Sequence, residues 1–184
     1  MVHRMNLENA IFRELDENDD LSAFRCSSED LNDYFQNDVN KYNKEDMAKS
    51  YACFYNNKIV GFMSLSADTI RVKWMQANVI DGIRHNYPAI KIARLAVDIN
   101  HEKNGIGSSL VYMAIGMANE LSKIIGCRFV TVDSKKDSIG FYETLAFRKC
   151  LKQDKRHYTM MFLDLHIIKE NLLREKTCSL SNFS

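Results

Sequence analysis

Arg94-Leu-Ala-Val-Asp-Ile-Asn-His-Glu-Lys-Asn-Gly-Ile-Gly-Ser-Ser-Leu110 is the stretch from which the rest of the chain can be read. Ile90 to Val97 is rich in apolar and β-branched residues and reads as a central strand. From Gly107 on, Leu110, Met113, Ala114, Met117, Leu121 and Ile124 mark one face of a long amphipathic helix, with Gly126 placed to end it. Between strand and helix lies a short loop with two glycines. A helix N-terminus exposes unpaired N–H groups and carries about half a positive charge. Gly105 and Gly107 let the backbone approach an anion closely, and Ser108 and Ser109 add hydroxyl donors. This order of strand, glycine loop and helix suits a phosphate or pyrophosphate. A G-x-G before a helix also serves as plain turn chemistry. No Gly-Lys-Ser/Thr follows, so it is not a nucleotide P-loop, and the third glycine of a dinucleotide fingerprint is missing.

Upstream, Ala10 to Leu15 reads as a first strand, with Ser27 and Ser28 as helix N-caps. Leu31, Tyr34, Phe35, Val39 and Tyr42 recur at helical spacing and form one apolar face. Ser50 to Tyr55, Asn56-Asn57 and Lys58 to Ser66 form a hairpin, because asparagine tolerates the positive φ that tight turns require. Arg71 to Pro88 has no clear pattern. Downstream, Arg128 to Val132 is a buried strand and Asp137 to Leu145 a short helix. Phe147 to Leu151 and His157 to Leu163 are two more strands, and Leu165, Ile168 and Leu172 begin a closing helix. This mixed order predicts an α/β (α+β) fold: one central mixed, twisted sheet of about six to seven strands with helices on both faces. One domain spanning residues 1–184 is expected, with its core at about 10–164 and a C-terminal helix at about 165–176.

Composition narrows the function classes. The chain is 46% hydrophobic and 27% charged, average for a soluble globular protein. No run approaches the ~18 apolar residues of a membrane helix, and Met1 to Asn9 has no signal-peptide core, so a cytoplasmic protein is expected. Cys26, Cys53, Cys127, Cys150 and Cys178 are scattered, and His157 and His166 complete no metal-ligand spacing with them. Reduced thiols and no metal are expected. The net charge of +1 hides an acidic run, Glu14 to Asp20, and a basic run, Arg148 to Arg156. A solvated face is the commoner meaning of such runs.

The glycine loop resembles the acetyl-CoA signature of the GNAT N-acetyltransferases, R/Q-x-x-G-x-G/A. Gly105 and Gly107 match; Glu102 stands where the family has arginine or glutamine and puts a carboxylate beside the pyrophosphate. The resemblance implies acetyl-CoA as cofactor, cradled by Glu102, Lys103, Asn104, Gly105, Ile106, Gly107, Ser108 and Ser109, mainly through backbone N–H groups. It also implies pantetheine contacts from Leu95, Ala96 and Val97, with the Val97 N–H polarising the thioester carbonyl. A second segment, Val132 to Phe147, resembles the family's A-x-x-F-Y-x-x-x-G-F motif. Phe141, Tyr142 and Phe147 match, while Ser138 replaces the alanine and Ala146 the glycine. By composition alone Phe141 and Tyr142 are core aromatics; the resemblance makes Tyr142 the general acid for the thiolate leaving group. Tyrosine suits that role, because its hydroxyl, of pKa ~10, is protonated at neutral pH.

The resemblance implies direct attack of an amine on the thioester. An α-amine loses its proton more readily than a lysine. No dedicated base stands out; Asp98, His101 and Glu102 are candidates by position, with a solvated loop as their commoner meaning. From about Leu21 to Leu163 the chain is similar to the tRNA-acetylating toxin branch of GNAT proteins. The similar pieces are Ala23 to Phe35, Ile59 to Ser66 and Tyr87 to Asp98. That branch implies aminoacyl-tRNA as acceptor, a ribbon–helix–helix antitoxin and a homodimer. Phosphate contacts then fall to Lys135, Lys136, Arg148, Lys149, Lys152, Lys155 and Arg156, with Arg71 and Lys73. A small-molecule amine or protein N-terminus is the alternative acceptor, and a non-catalytic CoA-binding module the alternative to an enzyme.

Overall fold

The computed structural model describes residues 7–71, 74–75, 86–151 and 157–170. Its elements follow the expected order: β1 (Ile11–Glu14), α1 (Glu29–Asp33), α2 (Val39–Lys44), β2 (Lys49–Tyr55), β3 (Lys58–Ile70), β4 (Tyr87–Val97), α3 (Ile106–Leu121), β5 (Phe129–Ser134), α4 (Ile139–Thr144), β6 (Arg148–Lys149) and β7 (Thr159–Asp164). The seven strands form one mixed sheet in the order β1-β2-β3-β4-β5-β7-β6. Contacts divide the chain into two compact units, Met1–Ala67 with Lys91–Ala114 and Asp68–Ile90 with Ile115–Ser184.

In the first unit, β1 and β3 flank β2 in antiparallel pairing. Asn56 and Asn57 turn the hairpin with φ of +49° and +60°, the left-handed pair that asparagine adopts at least cost. Opposite Cys53 and Phe54 the register shifts, leaving Val60 as the extra residue of a β-bulge. A single turn of π-helix, Tyr34–Asp38, joins α1 to α2. Of the helical face foreseen from periodicity, Tyr34, Phe35 and Val39 are buried against Phe24, Ala52, Ile59 and Phe62, Leu31 is partly buried and Tyr42 is exposed. The Phe35 ring stacks on Phe62 with centroids 4.1 Å apart. Ser28 occupies the N-cap position of α1 but its side chain makes no capping bond. Asn32 orders this loop instead, its amide accepting from Cys26 N–H at 2.8 Å and donating to Cys26 C=O at 3.0 Å.

In the second unit β7 pairs antiparallel with both β5 and β6. Ile70, Met75, Tyr87, Phe129, Cys150 and Phe162 form its core. Arg128 and Asp164 make a half-buried ion pair at 2.9 Å beside this core. Residues 165–170 are helical, and Asp164 accepts from the His166 N–H at 2.9 Å as their cap. The remainder of the closing helix expected at 165–176 lies outside the described residues.

Several boundaries differ from expectation: β3 runs past Ser66 to Ile70, and β4 begins at Tyr87, ahead of Ile90. Helix α3 stops at Leu121, not at Gly126, because Ser122 turns the chain with its hydroxyl on the Asn119 carbonyl at 2.6 Å. Ile124 is therefore off the helix and 86% exposed. Strand β6 is two residues long, because Phe147 is engaged in ending α4.

Candidate active site

The glycine loop lies wholly in the first unit. Val97 ends β4, partly buried between buried Ala96 and buried Asp98. The Asp98 N–H donates to the carbonyl of the bulged Val60 at 2.9 Å, which fixes the chain as it leaves β4. Lys103 and Gly105 both have positive φ, +61° and +84°, and turn the loop into α3. Gly105 is thus required by conformation, beyond the close approach expected of it; Gly107 has an ordinary helical φ. The Gly105 carbonyl accepts the first helical bond, from Ser109 N–H at 3.0 Å. The N–H groups of Gly105, Ile106, Gly107 and Ser108 donate to no described residue. Four such donors at a helix start form an anion-binding cradle.

The side chains around the cradle leave it open. Glu102 is exposed and Lys103 is exposed. Asn104 turns back on its own loop, donating to the His101 and Glu102 carbonyls at 3.2 and 3.3 Å. Ile106 is buried and anchors the first turn of α3. It rests on Gly61, a position the sequence reading passed over. A Cβ on Gly61 would lie 2.7 Å from Ile106 Cγ2 and 3.3 Å from both Ala96 O and Leu110 Cδ1. Glycine on β3 is what lets β4 and the start of α3 come this close.

Asp98 departs from its reading as a solvated loop residue, for it is only 6% exposed. Burial alone would raise its pKa. Hydrogen bonds from His101, from the Asn100 backbone and side chain, and from the Arg25 N–H outweigh this and hold the carboxyl below its ordinary range. A carboxylate with its lone pairs so engaged is a structural hub and a poor proton acceptor. His101 Nδ1 lies 3.1 Å from it.

Tyr142 lies in the second unit, on α4. It is 5% exposed, with its ring edge-on to Phe141 and Phe147 at centroid distances of 5.0 and 5.5 Å. Burial pushes its hydroxyl pKa well above the usual range, so the phenol stays protonated at neutral pH. No other described residue hydrogen-bonds to that hydroxyl. The end of α4 is a Schellman motif: Phe147 N–H donates to the Tyr142 carbonyl at 3.0 Å and Ala146 N–H to Glu143 at 3.1 Å. Ala146 sits at φ +66°, the conformation glycine would take without strain. Ser138 is the N-cap residue of α4 and makes no side-chain capping bond.

Lys135, Lys136, Arg148 and Lys149 are exposed in this same unit, and Lys149 pairs with Glu143 at 2.9 Å. Arg71 lies over the Trp74 ring at 4.9 Å. Lys73, Lys152, Lys155 and Arg156 lie outside the described residues. Among the described residues no group of three or more His, Cys, Asp or Glu could hold a metal.

Residues 10–147 match the model of the acetyltransferase (GNAT) family. A tRNA-acetylating toxin of Mycobacterium tuberculosis is 24% identical over 153 residues, which are 83% of this chain and 92% of that protein. AtaT complexed with acetyl-methionyl-tRNAfMet has a similar fold, with a TM-score of 0.81, 19% identity and coverage of 89% of this chain and 99% of that one. A tyrosine-to-phenylalanine mutant of AtaT, bound to the C-terminus of the antitoxin AtaR and acetyl-CoA, gives 0.71 at 18% identity, covering 87% and 96%.

Proposed function

The chain belongs to the acetyltransferase (GNAT) family, and on that premise we propose that it transfers an acetyl group from acetyl-CoA to the α-amine of an aminoacyl-tRNA. The observation that carries the cofactor half is the set of four N–H groups at the start of α3 that donate to no described residue, with Gly105 at φ +84°. These donors fit a pyrophosphate, and the exposed Glu102 is free to face solvent. When bound, acetyl-CoA supplies an activated acyl carbonyl and a thiolate leaving group. Leu95, Ala96 and Val97 would hold the pantetheine, and the Val97 N–H would stabilise the charge that develops on the acyl oxygen. Ser108, Ser109 and Ser138 add polar contacts. Tyr142 holds its proton by burial and would give it to the leaving thiolate.

An α-amine acceptor suits a site without a strong base. Asp98 is buried and fully hydrogen-bonded, so it orients the loop and does not draw a proton. The toxin relative and the exposed lysines and arginines of the second unit support the RNA acceptor. Neighbours bound to an antitoxin support a protein partner of that kind, which on this reading is of the ribbon–helix–helix class. A homodimer and a cytoplasmic setting complete this reading; among the described residues no helix is long and apolar enough to cross a membrane.

A second reading is transfer to a small cationic amine. It is favoured by a hollow of about 440 Å³ in the first unit, lined by Glu29, Asp30 and Asp33 with Arg25, Asn32 and Gln36. Mass spectrometry of a tRNA pool incubated with enzyme and acetyl-CoA separates the two. N-acetylated aminoacyl ends, formed at a rate falling steeply between about 50 and 200 mM salt, are expected. An unmodified pool with acetylation of a free amine would overturn the RNA reading.

A further inference from the structure

In the second unit the last rung of the β5–β7 ladder pairs Ser134 with Thr159. Partners across an antiparallel rung lie about 5 Å apart. The chain leaving β5 and the chain entering β7 are therefore side by side. Lys135 and Lys136 follow on one, His157 and Tyr158 precede on the other. These four residues line a hollow of about 440 Å³. All four are exposed, with Tyr158 at 41%. Two ammonium groups beside an exposed aromatic ring and an imidazole form a surface that takes a phosphate and a nucleobase together, the combination that binds single-stranded nucleic acid. A solvated lysine turn alone would not bring two rings to it.

We propose that this hollow binds one unpaired phosphorylated nucleoside, its phosphate on Lys135 and Lys136 and its base against Tyr158. The inference rests on the aminoacyl-tRNA reading and deepens it: the nucleoside is one of the single-stranded nucleotides at the acceptor end of the RNA. The other source of the same chemistry is the adenosine 3′-phosphate of CoA. His157 gives the hollow a second ring and a further hydrogen-bonding group. None of the four residues belongs to the cradle or to α4, so the hollow can be altered without touching either.

The test uses the full chain and two probes. One is a fluorescein-labelled RNA tetranucleotide, A-C-C-A, read by fluorescence anisotropy; the other is CoA, read by calorimetry. Tyr158→Ala is expected to weaken the RNA about tenfold, and Tyr158→Trp to keep it within about twofold, because stacking tolerates any aromatic face. Lys135→Gln with Lys136→Gln is expected to lower the salt slope of RNA binding by about 1.4, two single-strand contacts at ~0.7 each. CoA affinity stays unchanged in all three variants. RNA affinity indifferent to Tyr158 overturns the proposal. A loss confined to CoA overturns the acceptor assignment and gives the hollow to the cofactor. A wild-type chain that acetylates no aminoacyl-tRNA, yet binds the tetranucleotide in a Tyr158-dependent way, removes the functional reading and leaves the hollow standing.

Discussion

Replacing Gly61 by alanine sets the packing of β3 against the proposed role of the first turn of α3. The added methyl meets Ile106 Cγ2 at 2.7 Å, so ordinary contact requires a shift of about 0.7 Å. The Ala96 carbonyl and Leu110, both at 3.3 Å, block retreat in other directions. Ile106 is β-branched and 1% exposed, so its methyl cannot swing away and the start of the helix must move. Overpacking of this kind costs about 1–3 kcal/mol. Removing a strand glycine returns about 0.5–1 kcal/mol, so the net loss is about 0–2.5 kcal/mol. Cofactor binding should suffer more, because the four cradle N–H groups move with Ile106. A weakening of CoA by about ten- to a hundredfold is expected, measured by calorimetry beside a thermal melt. Ile106→Leu removes the clashing β-methyl at nearly constant volume, and in the Gly61→Ala background it should restore most of the affinity. If Gly61→Ala lowers the melting temperature but leaves CoA affinity intact, the cradle is not where the pyrophosphate binds.

Tyr142→Phe is expected to lower kcat about 10²–10⁴-fold with CoA affinity unchanged, measured by steady-state kinetics and calorimetry. Because burial raises the Tyr142 pKa, the wild-type rate should show no alkaline limb from this group below about pH 10; a limb at lower pH that vanishes in the phenylalanine variant would contradict the raised pKa. Ala146→Gly relieves a left-handed alanine worth about 1–2 kcal/mol, less about 0.4–1 kcal/mol of added chain entropy, and should raise the melting temperature by about 1–4 °C. Asp98→Asn should cost about 1–3 kcal/mol at pH 7 in urea unfolding. The folded carboxyl titrates below its unfolded value of ~3.9, so its contribution is complete above about pH 4 and is lost as pH falls through the folded value. The gap between wild type and variant should therefore narrow as pH falls below the unfolded value, and a constant gap would refute the assignment.

What the sequence revealed was mostly local. Asparagines at 56 and 57 reported a turn that needs two positive φ values, whereas the positive φ of Gly105 came only with the structure. Periodicity located Tyr34, Phe35 and Val39 on a buried face because apolar residues recur there at helical spacing. The features that escaped depend on partners far along the chain. Asp98 looked like a polar loop residue because its donor Arg25 is 73 positions away. Gly61 looked like any strand glycine because its reason lies in Ile106 and Leu110. The end of α3 was misplaced because glycine is the common stop, whereas a serine hydroxyl makes this one. Glu102 had to be seen to be placed, since no pattern says which way a lone surface carboxylate faces.

The tie between Arg25 and Asp98 also orders events during folding. Closing a loop of that length is entropically costly and slow compared with forming α3 or the β2–β3 hairpin. The loop after β4 gains its full set of hydrogen bonds only after the segment before α1 has docked. During synthesis that segment emerges first and waits for its acceptor, so Asp98 must leave the ribosome before either partner is settled. The loop that carries the proposed cradle is thus held by a tie spanning 73 positions of sequence.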